Sequence, residues 1–396
     1  MTAWAPADCV GRTRLLILQS TPFCNIDCEY CYLPGRDDRH RMSFDIVEAV
    51  VRFVADNKLA APDFTVVWHS GEPLVLPIDW YRQAFAAVAR AVPGSAGIPH
   101  SIQTNGMLIS DEWCQFFLEN AVRVGVSLDG PAWLHDLRRR TRSGKGTHDR
   151  VMRGINTLRR NGVPFHVICV IGARSLNAVD ELMDFFIDQG IRDVGFNVEE
   201  IEGVHRHSTL QEIDIDTRFR SFFARLLDRA LDAVPPLAIR EAEEFLATLR
   251  HPSFGHLTRN SQNEPFGFIS VSSRGALYTF SPELGGLTDP RYGEMSIGQL
   301  PGADLQEILS GVVFRRMWDD IEAGTQTCRK SCAYFDLCLG GAPVNKLAEL
   351  GTFAGSETLH CRLSHKAIAD TVLLKLEADL SVAKAAGSNA AAPPAF

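Results

Sequence analysis

Seven cysteines fall into two groups whose spacing fits metal chemistry better than packing. The first group is Cys24-Asn25-Ile26-Asp27-Cys28-Glu29-Tyr30-Cys31. A compact loop of that spacing can bring three thiolates onto one iron–sulfur cube, which normally takes four cysteines. The next cysteine is Cys114, so one iron would stay open for a ligand, as one position does in a catalytic zinc site. The second group is Cys328, Cys332, Cys338 and Cys361, and four thiolates can close a 4Fe–4S site fully. Zinc or buried free thiols are the alternative for the first group, and a zinc knuckle for the second. Zinc asks for four ligands, usually from paired cysteines.

Polar residues recur just after apolar runs. His69-Ser70-Gly71-Glu72-Pro73 follows one such run. Glycine lets a backbone approach a ligand closely, and Glu72 can pair with an ammonium group. A β-turn with a solvated glutamate would read the same way. Gln103-Thr104-Asn105-Gly106 and Ser127-Leu128-Asp129-Gly130 follow two more runs, with hydroxyls and a carboxylate suited to ribose hydroxyls or to a bound amino acid. Arg138-Arg139-Arg140-Thr141-Arg142 is either a solvated basic loop or a clamp for a carboxylate. Glu199, Glu200 and Glu202 end a further run; they would bind peptide, act as bases, or be solvated.

These residues need a scaffold that delivers them to one place. Strands are expected at Arg14–Gln19, Phe64–His69, His100–Thr104, Val122–Ser127, Phe165–Ile171 and Asp193–Asn197. Helices are expected at Ser43–Asn57, Asp79–Val92, Ser110–Asn120, Thr147–Asn161 and Leu176–Gln189, with Ser43 as an N-cap. Six alternations of strand and helix predict a parallel sheet. Six units, not eight, predict a partial (β/α)6 TIM-like barrel, with active residues just beyond the strand ends. Pro235-Pro236 marks a boundary after which the alternation stops. The chain is thus read as a core domain over 1–235, an auxiliary domain over 236–386 and a disordered low-complexity tail over 387–396. In the second part, Phe268–Val271 and Ala276–Phe280 flank a hairpin turn, and a helix near Asp304–Ala323 leads into the second cysteine group.

Composition narrows the class. The chain has 396 residues, ordinary apolar content at 45% and a net charge of −8, which does not favour nucleic acid as a partner. It shows no N-terminal apolar signal region and no long apolar run, so a cytoplasmic protein with no membrane attachment is expected. The ten cysteines then read as metal ligands and, for Cys9, Cys114 and Cys169, small core residues.

The three-cysteine loop, with Tyr30 before its last cysteine, resembles the radical SAM signature, and the match extends over about residues 14 to 380. Ser70-Gly71-Glu72-Pro73 resembles that superfamily's Gly-Gly-Glu-Pro motif, with a serine for the first glycine. The resemblance implies a 4Fe–4S cluster on Cys24, Cys28 and Cys31 whose open iron binds S-adenosylmethionine. It places cofactor contacts at Tyr30, Gly71, Glu72, Ser127, Asp129 and Arg139. The second cysteine group resembles a SPASM/twitch-like iron–sulfur domain. A further cysteine expected after Cys338 is Ala342, and the pair expected near Tyr278-Thr279-Phe280-Ser281-Pro282 is missing. One auxiliary 4Fe–4S cluster is expected, not two, which argues against sulfatase maturation.

Trp68-His69-Ser70-Gly71-Glu72-Pro73-Leu74, Phe280-Ser281-Pro282-Glu283-Leu284 and Gly340-Gly341-Ala342-Pro343-Val344-Asn345-Lys346 look like the cyclophane-forming (triceptide, GrrM/OscB-type) maturases. That implies a ribosomal precursor peptide as substrate and a flavodoxin- or ferredoxin-like electron donor. The product it implies is a carbon–carbon bond between an aromatic ring and a Cβ, and a nearby acid such as Glu283 is a candidate base. Thioether formation or epimerisation is the alternative within enzymes, and a non-catalytic metal scaffold the alternative outside them. No separate leader-binding domain is expected ahead of the first strand.

Overall fold

The structure is a computed structural model that describes residues 11–92 and 97–385. The expected tail at 387–396 and Cys9 lie outside the described residues. The chain forms β1 (Thr13–Leu18), β2 (Ile26–Cys28), β3 (Ala60–Trp68), β4 (His100–Thr104), β5 (Arg123–Ser127), β6 (Arg139–Thr141), β7 (Phe165–Ile171) and β8 (Asp193–Val198). These are followed by β9 (Ala238–Ile239), β10 (Phe268–Val271), β11 (Ala276–Thr279), β12 (Thr288–Asp289), β13 (Gly293–Glu294) and β14 (Gly298–Gln299). Ten of them make one sheet in the order β14-β11-β10-β1-β3-β4-β5-β7-β8-β9. All neighbours from β10 to β9 run parallel, while β10–β11 and β11–β14 are antiparallel.

The parallel strands are covered on both faces, so they read as nearly continuous apolar runs. Leu16, Leu18, Val66, Trp68, Ile102, Val126 and Val167 have no exposed surface. The helices between them are amphipathic. In Phe44–Asp56, the Ser43 hydroxyl caps the start by accepting from the Ile46 amide, and Ile46, Val47, Val50, Val51 and Val54 turn inward at helical spacing. Trp68 anchors the helix Ile78–Ala91: it meets Trp80 and Tyr81 edge-on and stacks on Phe85. Its indole N–H donates to His100 Nδ1 at 3.2 Å, which satisfies a polar group that burial would otherwise leave costly. Cys114 and Cys169 are fully buried.

Two differences from the sequence reading concern the region beyond residue 235. A seventh parallel strand, β9, pairs with β8 there and leads into the helix Arg240–Arg250. Two residues are too few to show a period, so nothing in the pattern marked it. The sheet also does not stop at that point: β10 returns to pair with β1. The expected hairpin is β10–β11, with Ser270 opposite Tyr278. The single helix expected near Asp304–Ala323 is two, Leu305–Ser310 and Val312–Ser331, broken at Gly311, and the second runs past the expected end to carry Cys328 in its last turn.

A second, two-stranded sheet joins β2 to β6 antiparallel, with Cys28 opposite Arg139. This ribbon links the cysteine loop to the arginine run.

Candidate active site

Apart from the arginine run, which lies in β6, the polar motifs noted in the sequence lie at the C-terminal ends of parallel strands. Ser70–Glu72 follow β3, Asn105 follows β4, Asp129 follows β5 and Glu199 follows β8. In a parallel sheet with its helices outside, this is the end where loops from successive strands converge.

The cysteine loop packs on the turn after β3. Gly71 has φ +97°, and a Cβ there would sit 2.1 Å from the Thr21 carbonyl oxygen, so only glycine permits the approach. The Glu72 amide donates to the Phe23 carbonyl at 2.9 Å. Glu72 is 1% exposed. Its carboxylate accepts from the Leu74 amide at 3.0 Å, the Thr104 hydroxyl at 2.7 Å and the Asn105 amide at 2.8 Å. Burial pushes the Glu72 carboxyl up, and these donors oppose the shift. A carboxylate offers about four lone-pair sites, so one acceptor position remains.

Asp129 organises the other side. It accepts from Arg139 Nε at 2.9 Å, from the Val170 amide at 2.9 Å and from the Tyr30 hydroxyl. Burial alone would raise its carboxyl; Arg139, His135 and Tyr30 outweigh that and hold it below the ordinary range. His135 Nδ1 accepts from the Asp129 amide at 3.2 Å. Both Arg138 and Arg139 lie near the Tyr30 ring, at 4.3 and 5.2 Å from its centroid. Arg139 NH1 lies 3.9 Å from Cys28 Sγ, and Asn105 Nδ2 lies 3.9 Å from Cys24 Sγ. The thiols of Cys24, Cys28 and Cys31 act on one another: burial, Glu72 and the two other thiols together push Cys24 up to about 12. Such a set of donors fits a metal group, whose positive charge would relieve that repulsion.

Ser127 ends β5 and accepts from Gln103 Nε2 at 3.1 Å. Glu283 does not join this group. It acts instead on Tyr32, whose hydroxyl meets Ser70 Oγ at 2.8 Å and whose titration is raised by burial and then by Glu283 and Glu202. Burial pushes Glu283 and Glu200 each up to about 7, and pushes Glu202 well above the carboxylate range. Ser281 donates to Glu283, while Asn345 Nδ2 donates to Glu200 at 2.6 Å and His360 Nε2 lies 3.6 Å from it. Glu199 turns away from this cluster and binds Arg138, His205 and Thr209.

The second cysteine group lines one cavity of about 110 Å³. Cys328 comes from the helix Val312–Ser331, Cys332 caps its end, Cys338 ends the short helix Phe335–Cys338, and Cys361 starts a π-helical turn. Leu339, Gly340 and Gly341 all have positive φ and wrap the chain around the cavity. Asn260 and Asn263 pin that wrap by donating to the carbonyls of Cys338 and Leu339 at 2.7 and 2.6 Å. Among the described residues, no three Cys, His, Asp or Glu side chains converge as ligands of a single ion; the four thiols instead surround a space. Four thiols on one cavity wall are a donor set that fits a 4Fe–4S group. Ala342 is on the cavity wall.

Sequence reasoning gave no role to Tyr32, His135, Asn345, Lys346 or His360. Asn345 and Lys346 stood in a recognised motif, but neither spacing nor type showed what they touch.

Residues 18–186 match the family model of the Radical SAM superfamily. The chain is 37% identical over 377 residues to the uncharacterized protein sll1766 of Synechocystis sp., covering 94% of both chains. This protein belongs to the Radical SAM superfamily. It is 36% identical to a serine-type anaerobic sulfatase-maturating enzyme of Bacteroides thetaiotaomicron, over 41% of this chain and 40% of that one, so under half of that relative is matched. Among solved structures it resembles native anSMEcpe with bound AdoMet and Cp18Cys peptide, with TM-score 0.71 and 20% identity over 93% of this chain and 98% of the other. It also resembles Streptococcus suis SuiB bound to precursor peptide SuiA, with TM-score 0.63 and 17% identity over 89% of this chain and 77% of the other. These two likenesses establish the shared fold. No helix among the described residues is long and apolar enough to cross a membrane.

Proposed function

We propose that this protein is a peptide maturase that joins an aromatic ring to a Cβ of a ribosomally made precursor, with loss of two hydrogens. The observation that carries the reading is the placement of Glu200, Glu202 and Glu283 between the two thiol groups. On one side Tyr32, next to Cys31, feels Glu283 and Glu202. On the other, Glu200 meets Asn345 and His360, and His360 lines the cavity of the second group. An oxidation that releases a proton and an electron needs an acceptor for each, close to the substrate.

Cys24, Cys28 and Cys31 would hold a 4Fe–4S cluster, and Tyr30, Gly71, Glu72, Ser127, Asp129 and Arg139 would hold S-adenosylmethionine against it. Once bound, that pair supplies one-electron, hydrogen-abstracting chemistry. Cys328, Cys332, Cys338 and Cys361 would hold one auxiliary 4Fe–4S cluster. The chain's own residues orient and exchange protons. Gly71 brings the backbone of its turn against the cysteine loop, and Glu72 locks the turn to β4 with an acceptor site to spare. Asp129 fixes Arg139, whose guanidinium would face a carboxylate. Glu283, held near neutrality by burial and steadied by Ser281, would take the proton released as the ring regains aromaticity.

SuiB with its precursor peptide and anSMEcpe with a bound peptide support a peptide substrate. A ribosomal precursor and a flavodoxin- or ferredoxin-like donor would place the reaction in the cytoplasm. Sulfatase-type maturation is the second reading, favoured by the partial match to the Bacteroides enzyme. Against it, Ala342 occupies a thiol position, and Phe280 and Ser281 are packed at 0% and 2% exposure where another pair would stand.

The test is co-expression with a short peptide gene found beside this one, followed by mass spectrometry. A peptide lighter by two hydrogens, with fragmentation suppressed between an aromatic residue and the residue two positions on, is expected. An unchanged mass with inverted stereochemistry, or a crosslink at a cysteine sulfur, rejects the carbon–carbon reading.

A further inference from the structure

Lys346 is 4% exposed, and its ammonium donates to Cys328 Sγ at 3.5 Å. It lines the same cavity as the four thiols. An ammonium taken out of water is costly unless an anion faces it. The other lysine on that wall, Lys366, is paired with Glu357. Lys346 has no carboxylate partner among the described residues, so the anion it faces is the thiolate set and the group that set holds. Its helix, Pro343–Leu350, starts at the cavity, and the preceding residue, Asn345, holds Glu200.

We propose that Lys346 is a tuning residue: its buried positive charge raises the reduction potential of the group held by Cys328, Cys332, Cys338 and Cys361. The proposal rests on reading those four cysteines as ligands. Reduction adds one electron and one negative charge; no bond forms or breaks. A fixed cation beside one sulfur, screened little by solvent, favours the more negative state. Lys346 thus makes the auxiliary group a better electron acceptor, and Asn345 fixes a proton-accepting carboxylate one residue away. One helical turn would couple the two halves of the oxidation.

The experiment uses the full-length, reconstituted protein carrying Cys24→Ala, Cys28→Ala and Cys31→Ala, so that only the auxiliary group titrates. Iron content is measured, and the midpoint potential is followed by electron paramagnetic resonance during reduction with dithionite. Lys346→Met should keep its iron and lower the potential by at least tenfold in the reduction equilibrium, about 59 mV for one electron. Lys346→Arg, which keeps the charge, should stay near the parent value. An unmoved midpoint in an iron-loaded Lys346→Met protein overturns the proposal, as does an equal shift in the arginine variant, which would reflect packing. Should Lys346→Met lose iron, Lys346→Gln is measured in its place; loss from both makes Lys346 a residue for loading and also overturns it. A parent protein in which Cys361→Ala removes no iron rejects the ligand reading itself, a failure visible before any potential is measured.

Discussion

Glu283 concentrates the chemistry available to a single residue. Its carboxyl is pushed to about 7 by burial, with Ser281 lowering it and Glu200 raising it further. A base in that range is half ionised near neutral pH, which is where general-base catalysis works best. Release of crosslinked peptide should therefore rise with pH through about 7. Glu283→Gln should remove that limb and slow release by roughly 10²-fold or more, while 5′-deoxyadenosine still forms. Quantifying both products by chromatography from about pH 6 to 9 decides it; an unchanged limb in the variant would move the role to Glu200 or Glu202. The same shift has a stability consequence. A carboxyl whose native value lies above its ordinary one binds its proton more tightly when folded, so its contribution is present at low pH and lost as pH rises through about 7. Thermal melts of Glu283→Gln should lose less stability than the wild type over that rise.

At the scale of elements, the β2–β6 ribbon holds the cysteine loop in place. It sets Cys28 against Arg139, and the Asp129–Arg139 pair, with side chains 3% and 8% exposed, secures it to the end of β5. Removing one partner of a buried pair leaves the other charge stranded, at a cost of about 3–5 kcal/mol. Asp129→Asn should lower the melting temperature and weaken S-adenosylmethionine binding by roughly ten- to hundredfold, the worth of a charge-assisted hydrogen bond. Iron content should be retained. Equilibrium dialysis with an iron assay reads both. Affinity unchanged in Asp129→Asn and in Arg139→Lys would show that the ribbon does not position the cofactor, since lysine cannot reproduce the planar guanidinium contact.

For the whole molecule, the continuous sheet is decisive. β1 lies between β3 and β10, with Leu16 and Leu18 fully buried. The helix Val312–Ser331 then closes over this end, its Phe314 ring 5.9 Å from Phe266. A chain ending at residue 250 would keep all the residues proposed to hold a cofactor at the first site yet expose the long edge of β1, an unpaired apolar strand prone to association. Such a fragment should be insoluble or aggregated on size-exclusion chromatography, whereas the full chain should elute as a discrete species. A soluble, monomeric, iron-binding fragment would instead establish the first 250 residues as an independent folding unit. On this view the change of pattern near Pro235-Pro236 is not where folding divides, since β9 and β10 lie beyond it and still pair parallel with β8 and β1.

The amino-acid sequence by itself determined the two cysteine groups, the alternation of strands and helices and the strand-end position of the polar motifs. Those depend on spacing and period, which are local. The hairpin at β10–β11 was legible for the same reason. What faces what was left to tertiary structure. In the run Arg138–Arg142, a slip of one residue turns every side chain to the other face, and only pairing with β2 put Arg139 inward and Arg140 outward. Glu72 is typed as a cation partner by its chemistry, but its three donors come from a turn and from a strand 32 residues on. β9 is too short to have a period. Glu200 and Glu283 act on one another although β8 and β11 stand far apart in the strand order, and Lys346 finds Cys328 because two helices close on one cavity. Such contacts join residues far apart in the chain, and local pattern carries no record of them.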